Sequence, residues 1–89
     1  MADKTSMLNR LRRIEGQVRG IQGMIEDGRS SIDVITQLQA VRAAVTRAET
    51  EFVRQRIEEC VRLAVGSQNE VRQRERAEEL IRVLVRGPN

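Results

Sequence analysis

The apolar positions of this chain follow helical spacing, and no segment alternates with the period of two that marks a strand. In the first segment apolar side chains recur every three or four residues, at Met7, Leu11, Ile14, Val18, Ile21 and Ile25. This spacing places them on one face of an amphipathic helix. The pattern therefore predicts a first helix over residues 6–27, ended by Gly28.

A second, much longer helix is predicted over residues 31–65. Ser30 is a favoured N-cap residue, and Asp33 follows it three residues later, as in a weak capping box. The apolar stripe then continues through Val34, Leu38, Val41, Val45, Ala48 and Phe52. Further on it consists of Val53, Ile57, Cys60, Val61 and Ala64. The stripe thus changes face near Gln55.

The sequence at residues 66–70, Gly-Ser-Gln-Asn-Glu, predicts a break before a third helix over residues 70–86. The apolar stripe of this helix is Ala77, Leu80, Ile81 and Leu84. The chain of 89 residues is long enough for one small domain, which we expect to span residues 1–89. The predicted fold is all-α, a three-helix protomer with one long central helix.

The length of the second helix predicts self-association. At 1.5 Å per residue, roughly 35 residues form a rod about 50 Å long, which is more than a small three-helix bundle needs. Part of its apolar stripe must therefore be covered by another chain, and we expect an antiparallel dimer. Gly16, Gly20 and Gly23 each cost the first helix about 1 kcal/mol relative to Ala. Close packing of a neighbouring helix is the favoured explanation for them.

The composition argues against an enzyme and against a cofactor. The chain has no His, Trp or Tyr and one Cys, so it lacks the commonest general base and metal ligand and cannot form an internal disulfide. The N-terminal segment has no apolar core of a signal peptide, and nothing indicates membrane insertion. We therefore expect a protein of the bacterial cytoplasm that makes no membrane contact.

The basic residues are 15 arginines and one lysine, against 13 acidic residues. Arg10, Arg12, Arg13 and Arg19 cluster on the polar side of the first helix, and Arg42 and Arg47 lie on the part of the second helix that should pack beside it. Duplication by two-fold axes would extend these into a basic face for phosphates. We predict that Arg10, Arg13, Arg42 and Arg47 contact double-stranded DNA. A helical scaffold protein is the alternative from another class, although it would not need clustered arginines.

Three stretches resemble one family over nearly the whole chain. They are LNRLRRIEGQVRGIQGMIEDGR, SIDVITQLQAVRAAV and IEECVRLAV, at residues 8–29, 31–45 and 57–65. They are similar to the copper-sensitive operon repressor (CsoR) family. The resemblance implies an all-helical, homotetrameric bacterial repressor without a helix-turn-helix. It also implies release of operator DNA when an inducer modifies or binds the second helix.

The resemblance also implies where an inducer acts. Metal-sensing members have Cys, His and Cys where this chain has Ser31, Arg56 and Cys60. Two of the three ligands are absent, so we expect no metal site. The pattern is most similar to the CsoR-like sulfurtransferase repressors, which sense persulfides with two cysteines. Reactive sulfur species are thus the expected inducer, and a copper- or nickel-responsive repressor of the same family is the alternative.

Ser31 and Cys60 are 29 residues apart on one predicted helix, which separates them by about 43 Å within a chain. In an antiparallel dimer Cys60 would instead lie beside Ser31 of the partner subunit. The expected sensing pair is therefore incomplete, because Ser31 stands where a second thiol is required. The alternative is a purely structural role for Cys60 as an inert core residue, since free cysteines are among the most buried side chains.

Overall fold

The structure is a computed structural model that describes residues 4–66 and 68–87. It contains helix α1 (Lys4–Glu26), helix α2 (Ser31–Ala64) and helix α3 (Glu70–Arg86). Each bound lies within two residues of the prediction, and no residue in the described ranges belongs to a strand. The all-α protomer with a long central helix is confirmed. Residues 1–3, 67 and 88–89 of the predicted domain lie outside the described residues.

Local backbone chemistry determines where α1 ends and α2 begins. Gly28 has a φ of 72°, which a glycine adopts without steric cost. The Arg29 N–H donates to the Met24 carbonyl at 2.9 Å, and the Gly28 N–H donates to the Ile25 carbonyl at 3.1 Å. These two bonds form a Schellman motif. The Asp33 N–H then donates to Ser30 Oγ at 3.2 Å, so Ser30 caps α2 as predicted.

The chain divides into two compact units, the first ending at Ala48 and the second beginning at Glu49. In the first unit α1 packs on the N-terminal part of α2. Its core cluster is formed by Met7, Ile14 and Ala48, with Val41 and Ala44 packed against them. Along α1 the buried residues are spaced by seven, so one line of the predicted stripe is covered.

In the second unit the buried residues are Val53 and Cys60 of α2. On α3 no residue is fully buried, and the half-buried positions Gln73, Ala77, Leu80 and Leu84 follow helical spacing. The buried residues Ala48 and Val53 are five residues apart, whereas an unbroken helical stripe has spacings of three or four residues. This agrees with the predicted change of face in α2.

Several residues of the predicted stripes are exposed. Leu11 and Val18 are each 43% exposed on α1, Val61 is 58% exposed on α2, and Ile81 is 45% exposed on α3. On α2 the exposed apolar side chains also include Ile32, Ile35, Leu38, Val45 and Phe52. Ile32 and Ile35 lie outside the predicted stripe. The periodicity identified the others as apolar-face positions, but the described protomer does not cover them. In the part of the chain that the structure describes, no helix is apolar enough over a sufficient length to cross a membrane.

Candidate sensing and DNA-binding residues

Cys60 lies near the end of α2 as a free thiol with 5% of its surface exposed. Ile57 and Ala64, one turn before and after it, are half-buried on the same side of the helix. Such an enclosed apolar position is typical of an inert structural cysteine, because a reactive thiol has to be reached by its reagent. Within the protomer, Cys60 is therefore a core residue.

Arg56 occupies the position where the family resemblance places a histidine. Its guanidinium carbon lies 4.8 Å from the centroid of the Phe52 ring, within the range of a cation–π contact. Its Nη1 lies 3.7 Å from Glu59 Oε1. The Arg56 charge is thus directed to Phe52 and Glu59, and the side chain offers no lone pair to a metal ion.

The two glutamates before Cys60 are also paired with arginines. Glu59 accepts a hydrogen bond from Arg62 Nη2 at 3.0 Å, in addition to its ion pair with Arg56. Glu58 accepts one from Arg54, which also contacts Glu51. The hydrogen bond to Glu51, together with the negative charges of Glu51 and Glu58, raises the pKa of Arg54. The polar surface of this part of α2 is therefore a network of ion pairs.

Ser31 is the first residue of α2 and is exposed. The cap of the helix is made by the neighbouring Ser30, so the hydroxyl of Ser31 has no capping role in the contacts of this turn. Ser31 belongs to the first unit and Cys60 to the second. Their pairing across two protomers stays a prediction. In the described residues no group of three or more His, Cys, Asp or Glu side chains could hold a metal ion.

The four predicted DNA contacts all lie in the first unit. Arg10 is half-buried on α1, whereas Arg13 on α1 and Arg42 and Arg47 on α2 are exposed. Within the described ranges none of the four forms an ion pair. Arg42 and Arg47 are five residues apart, which places them about 140° apart around an ideal helix. These two arginines thus do not share one face of α2.

The charge of the chain is divided unevenly along its length. Residues 1–48 contain eight basic and five acidic residues, whereas residues 49–89 contain eight of each. The net charge of +3 is therefore contributed entirely by the first half. In the second half, Arg54, Arg56, Arg62 and Arg74 are paired with glutamates of their own helices. In the described ranges, seven basic residues of the first unit and four of the second form no ion pair, so the first unit holds both the net charge and the larger share of unpaired basic side chains.

The sequence analysis explained the glycines of α1 by close packing of a neighbouring helix, and the described protomer shows no such packing. A Cβ atom at Gly16, Gly20 or Gly23 would have no heavy atom of another part of the chain within 4 Å. No helix of the described protomer therefore packs closely on them. Arg12 and Arg19, which belong to the sequence cluster but not to the four predicted contacts, border this open surface. The sequence alone could have indicated this, because the helical spacing of Arg12 and Arg19 places them beside Gly16 and Gly20 on α1.

Comparisons with known proteins agree with this fold. The chain matches the family model for metal-sensitive transcriptional repressors over residues 3–86. It is 42% identical over 65 residues to the copper-sensing transcriptional repressor CsoR of Bacillus subtilis, covering 73% of this chain and 64% of that protein. It is 44% identical over 63 residues to the copper-sensing repressor RicR of Mycobacterium tuberculosis, covering 71% of this chain and 66% of that protein. The match thus spans less than two thirds of either relative's length.

A solved structure is also similar. The nickel-responsive transcriptional regulator InrS superposes with a TM-score of 0.81 at 28% sequence identity, over 92% of each chain. This agreement extends the sequence match to the arrangement of three helices with a long central one. The resemblance of the three sequence stretches is confirmed at the level of the family. Because the family model covers nearly all of the sequence, the chain belongs to the metal-sensitive transcriptional repressor family.

Proposed function

We propose that this protein is a transcriptional repressor that binds operator double-stranded DNA and releases it in response to an inducer. The observation that carries the proposal is the unpaired positive charge of the first unit. Arg10, Arg13, Arg42 and Arg47 have no carboxylate partner in the described chain, so their guanidinium groups are available to phosphates. Membership of a repressor family supports the same function and argues against an enzyme.

Operator binding is tested by titrating a labelled duplex from the region upstream of the protein's own gene at several salt concentrations. Removing one arginine that binds a phosphate should reduce the slope of log affinity against log salt by about 0.9. Arg13→Ala and Arg47→Ala should therefore bind more weakly and with smaller slopes. Arg74→Ala is the matched control, because Arg74 is already paired with Glu70 on α3. Salt-independent binding, or none, would instead support a helical scaffold protein.

We propose further that the repressor works as an antiparallel dimer, doubled to a tetramer. The support is the set of apolar side chains that the protomer leaves exposed on α2, among them Ile35, Leu38 and Val45. Contiguous exposed apolar side chains are typical of protein interfaces. The proposal places the repressor in the bacterial cytoplasm, together with the DNA that it binds.

The comparisons favour a metal ion as the inducer over a persulfide. CsoR and RicR are named as copper-sensing and InrS as nickel-responsive, and none of these three is described as a persulfide sensor. At the family positions this chain supplies less than such a site needs, because Cys60 is its one thiol and Arg56 cannot coordinate a metal ion. The similarity to copper- and nickel-responsive proteins therefore favours a metal-responsive repressor. Its metal ligands would have to include residues other than Ser31, Arg56 and Cys60.

A persulfide-responsive repressor is the second candidate, favoured by the residue pattern around Cys60. A persulfide on Cys60 can be resolved by a thiolate that attacks its inner sulfur, forming a disulfide and expelling hydrosulfide. A serine hydroxyl at residue 31 has too high a pKa for this reaction. The chain with Ser31 should thus accept sulfur without linking protomers and should hold DNA persistently.

One experiment separates the two candidates. The protein bound to its labelled duplex is treated with Cu(I), Ni(II) or polysulfide, each with and without a competing chelator. Release by a metal ion at one equivalent per site, against the chelator, would establish metal response. If Cys60 is the single ligand, Cu(I) should bind no better than to an isolated thiol, and DNA should stay bound. For the persulfide candidate, polysulfide should release DNA from Ser31→Cys and leave it bound to the chain with Ser31. Cys60→Ala is the control that links either response to the thiol.

A further inference from the structure

The uncovered apolar face of α2 includes two charged side chains. Because α2 is one helix from Ser31 to Ala64, the spacing of its residues gives their positions around the helix axis. Alternating spacings of four and three residues place a row of exposed side chains within an arc of about 80°, namely Leu38, Arg42, Val45, Glu49 and Phe52. This is the spacing of a coiled-coil seam, and we call this row the α2 seam.

Neither charge of the α2 seam has a counter-charge on its own helix. Charged side chains on a helix surface meet partners that are three or four residues away. Around Arg42 these positions hold Leu, Gln, Val and Thr, and around Glu49 they hold Val, Thr, Phe and Val. Arg54 differs, because Glu51 and Glu58 lie at these spacings and both pair with it.

The rest of the described protomer does not neutralise these charges either. In the described ranges neither Arg42 nor Glu49 forms an ion pair, and both side chains are exposed. Each of them lies beside Val45, and Leu38 and Phe52 extend the apolar row beyond them. A partner that covers the apolar residues of the α2 seam must therefore also cover one positive and one negative charge.

The two charges restrict what can cover the α2 seam. A charge buried under an apolar partner loses its water without gaining a counter-charge, which is strongly destabilising. A parallel second copy of α2 would bring like charges together, arginine to arginine and glutamate to glutamate, and like charges across an interface repel. An antiparallel copy related by a two-fold axis brings each arginine to a glutamate, twice per interface. The charge pattern therefore fits a second copy of this chain in the antiparallel orientation.

We infer that Arg42 of one protomer forms an ion pair with Glu49 of the partner subunit, and that this reciprocal pair selects the orientation and the register of the dimer. The inference rests on the dimer of the proposed function, and it deepens that proposal by naming the residues that select the partner. It gives Arg42 a carboxylate in the assembled protein. Of the four arginines proposed to bind phosphates, it therefore leaves Arg10, Arg13 and Arg47 for that role.

The pair also determines which other residues meet across the dimer. Residues that face each other across a two-fold axis are equally far from it, so the axis passes midway between residues 45 and 46. Arg42 follows Ser31 by eleven residues, and Glu49 precedes Cys60 by eleven residues. The same register therefore brings Ser31 level with Cys60 of the partner subunit. A polar residue within an apolar seam is a known means of specifying such a register.

The test reverses each charge in turn. Arg42→Glu and Glu49→Arg each make both pairs of the interface like-charged, so each should raise the Kd of the dimer about tenfold or more. The variant that carries both changes restores opposite charges across the interface and should associate as the wild type does. Ala43→Glu is the matched control, because Ala43 is exposed on α2 but lies about 100° around the helix from Arg42.

Mixing the two single variants provides a second test. In a dimer of one Arg42→Glu chain and one Glu49→Arg chain, every reversed charge faces an opposite charge, so the mixture should form mixed dimers although each variant associates weakly alone. Light scattering over a range of protomer concentrations gives the Kd, and native mass spectrometry identifies mixed dimers. Circular dichroism on the same samples measures helicity. A loss of association caused by misfolding of one variant would not be reversed by mixing.

The outcomes distinguish this inference from the proposed dimer. If the wild-type chain is a monomer, both are wrong. If it associates and the single reversals leave its Kd unchanged, only this inference fails. If the single variants dissociate and neither the double variant nor mixing restores association, the two charges do not face each other, which also overturns the inference. The double variant should keep the wild-type affinity for the labelled duplex. A double variant that dimerises but binds DNA more weakly would overturn the assignment of Arg42 to the partner subunit.

Discussion

Replacing Gly16 and Gly20 by alanine should stabilise the protein. Neither glycine is among those with positive φ, and a Cβ at either position meets no other part of the chain within 4 Å. Alanine is therefore accommodated without strain. It favours a helix interior over glycine by about 0.5–1 kcal/mol per residue, so the double variant should gain about 1–2 kcal/mol. For a domain of this size, that corresponds to a rise in Tm of about 4–16 °C.

The measurement is thermal unfolding by circular dichroism at one fixed protomer concentration, because the stability of an oligomer depends on concentration. Gly28→Ala is the matched control. Gly28 has a φ of 72°, where a Cβ is strained by about 1 kcal/mol or more, so this variant should lower Tm. A fall in Tm for the double variant would refute the reasoning, since it would mean that the glycine surface is packed against something in the assembled protein.

Three further predictions address assembly, the core and the thiol. Light scattering at micromolar concentration should give a dimer or tetramer, because apolar side chains of α2 such as Leu38 and Val45 stay exposed in the protomer; a monomer would contradict this. Ile14→Ala should lower the free energy of unfolding by about 2–5 kcal/mol in urea titrations, since Ile14 is 9% exposed in the core of the first unit; a decrease below about 0.5 kcal/mol would show that Ile14 is not packed. Ser31→Cys should form a disulfide between protomers under mild oxidant, visible on non-reducing gels and absent in a Ser31→Cys variant that also carries Cys60→Ala. If no crosslink forms, Cys60 is the inert core residue that its burial indicates.

The helix boundaries were predictable because they depend on local chemistry. Gly28 adopts a left-handed conformation, Ser30 accepts the hydrogen bond of an N-cap, and the spacing of apolar residues repeats with the helical period. Each of these effects acts over a few residues, so the sequence specifies it without knowledge of the packing. The same periodicity predicted a change of face in α2 near Gln55, and the buried positions of the structure shift between Ala48 and Val53.

Which residues of each stripe are covered was decided by tertiary structure. Met7 and Ile14 are buried while Leu11 and Val18 are exposed, although all four fit one helical stripe, because burial depends on where a distant segment lies. The same reason places Cys60 in the core, which its sequence context left open.

The candidate site also has features that the sequence predicts and features that depend on the tertiary structure. The clustering of arginines on α1 is visible in the sequence, because helical spacing determines which residues are neighbours on one helix. Whether those arginines are neutralised depends on which carboxylates come within reach, and the uncovered glycine surface depends on what does not pack there. The sequence by itself therefore determined the three helices and the distribution of charge along them. Only the tertiary structure decided which surface of α1 stays open, because this depends on where segments far apart in the chain lie.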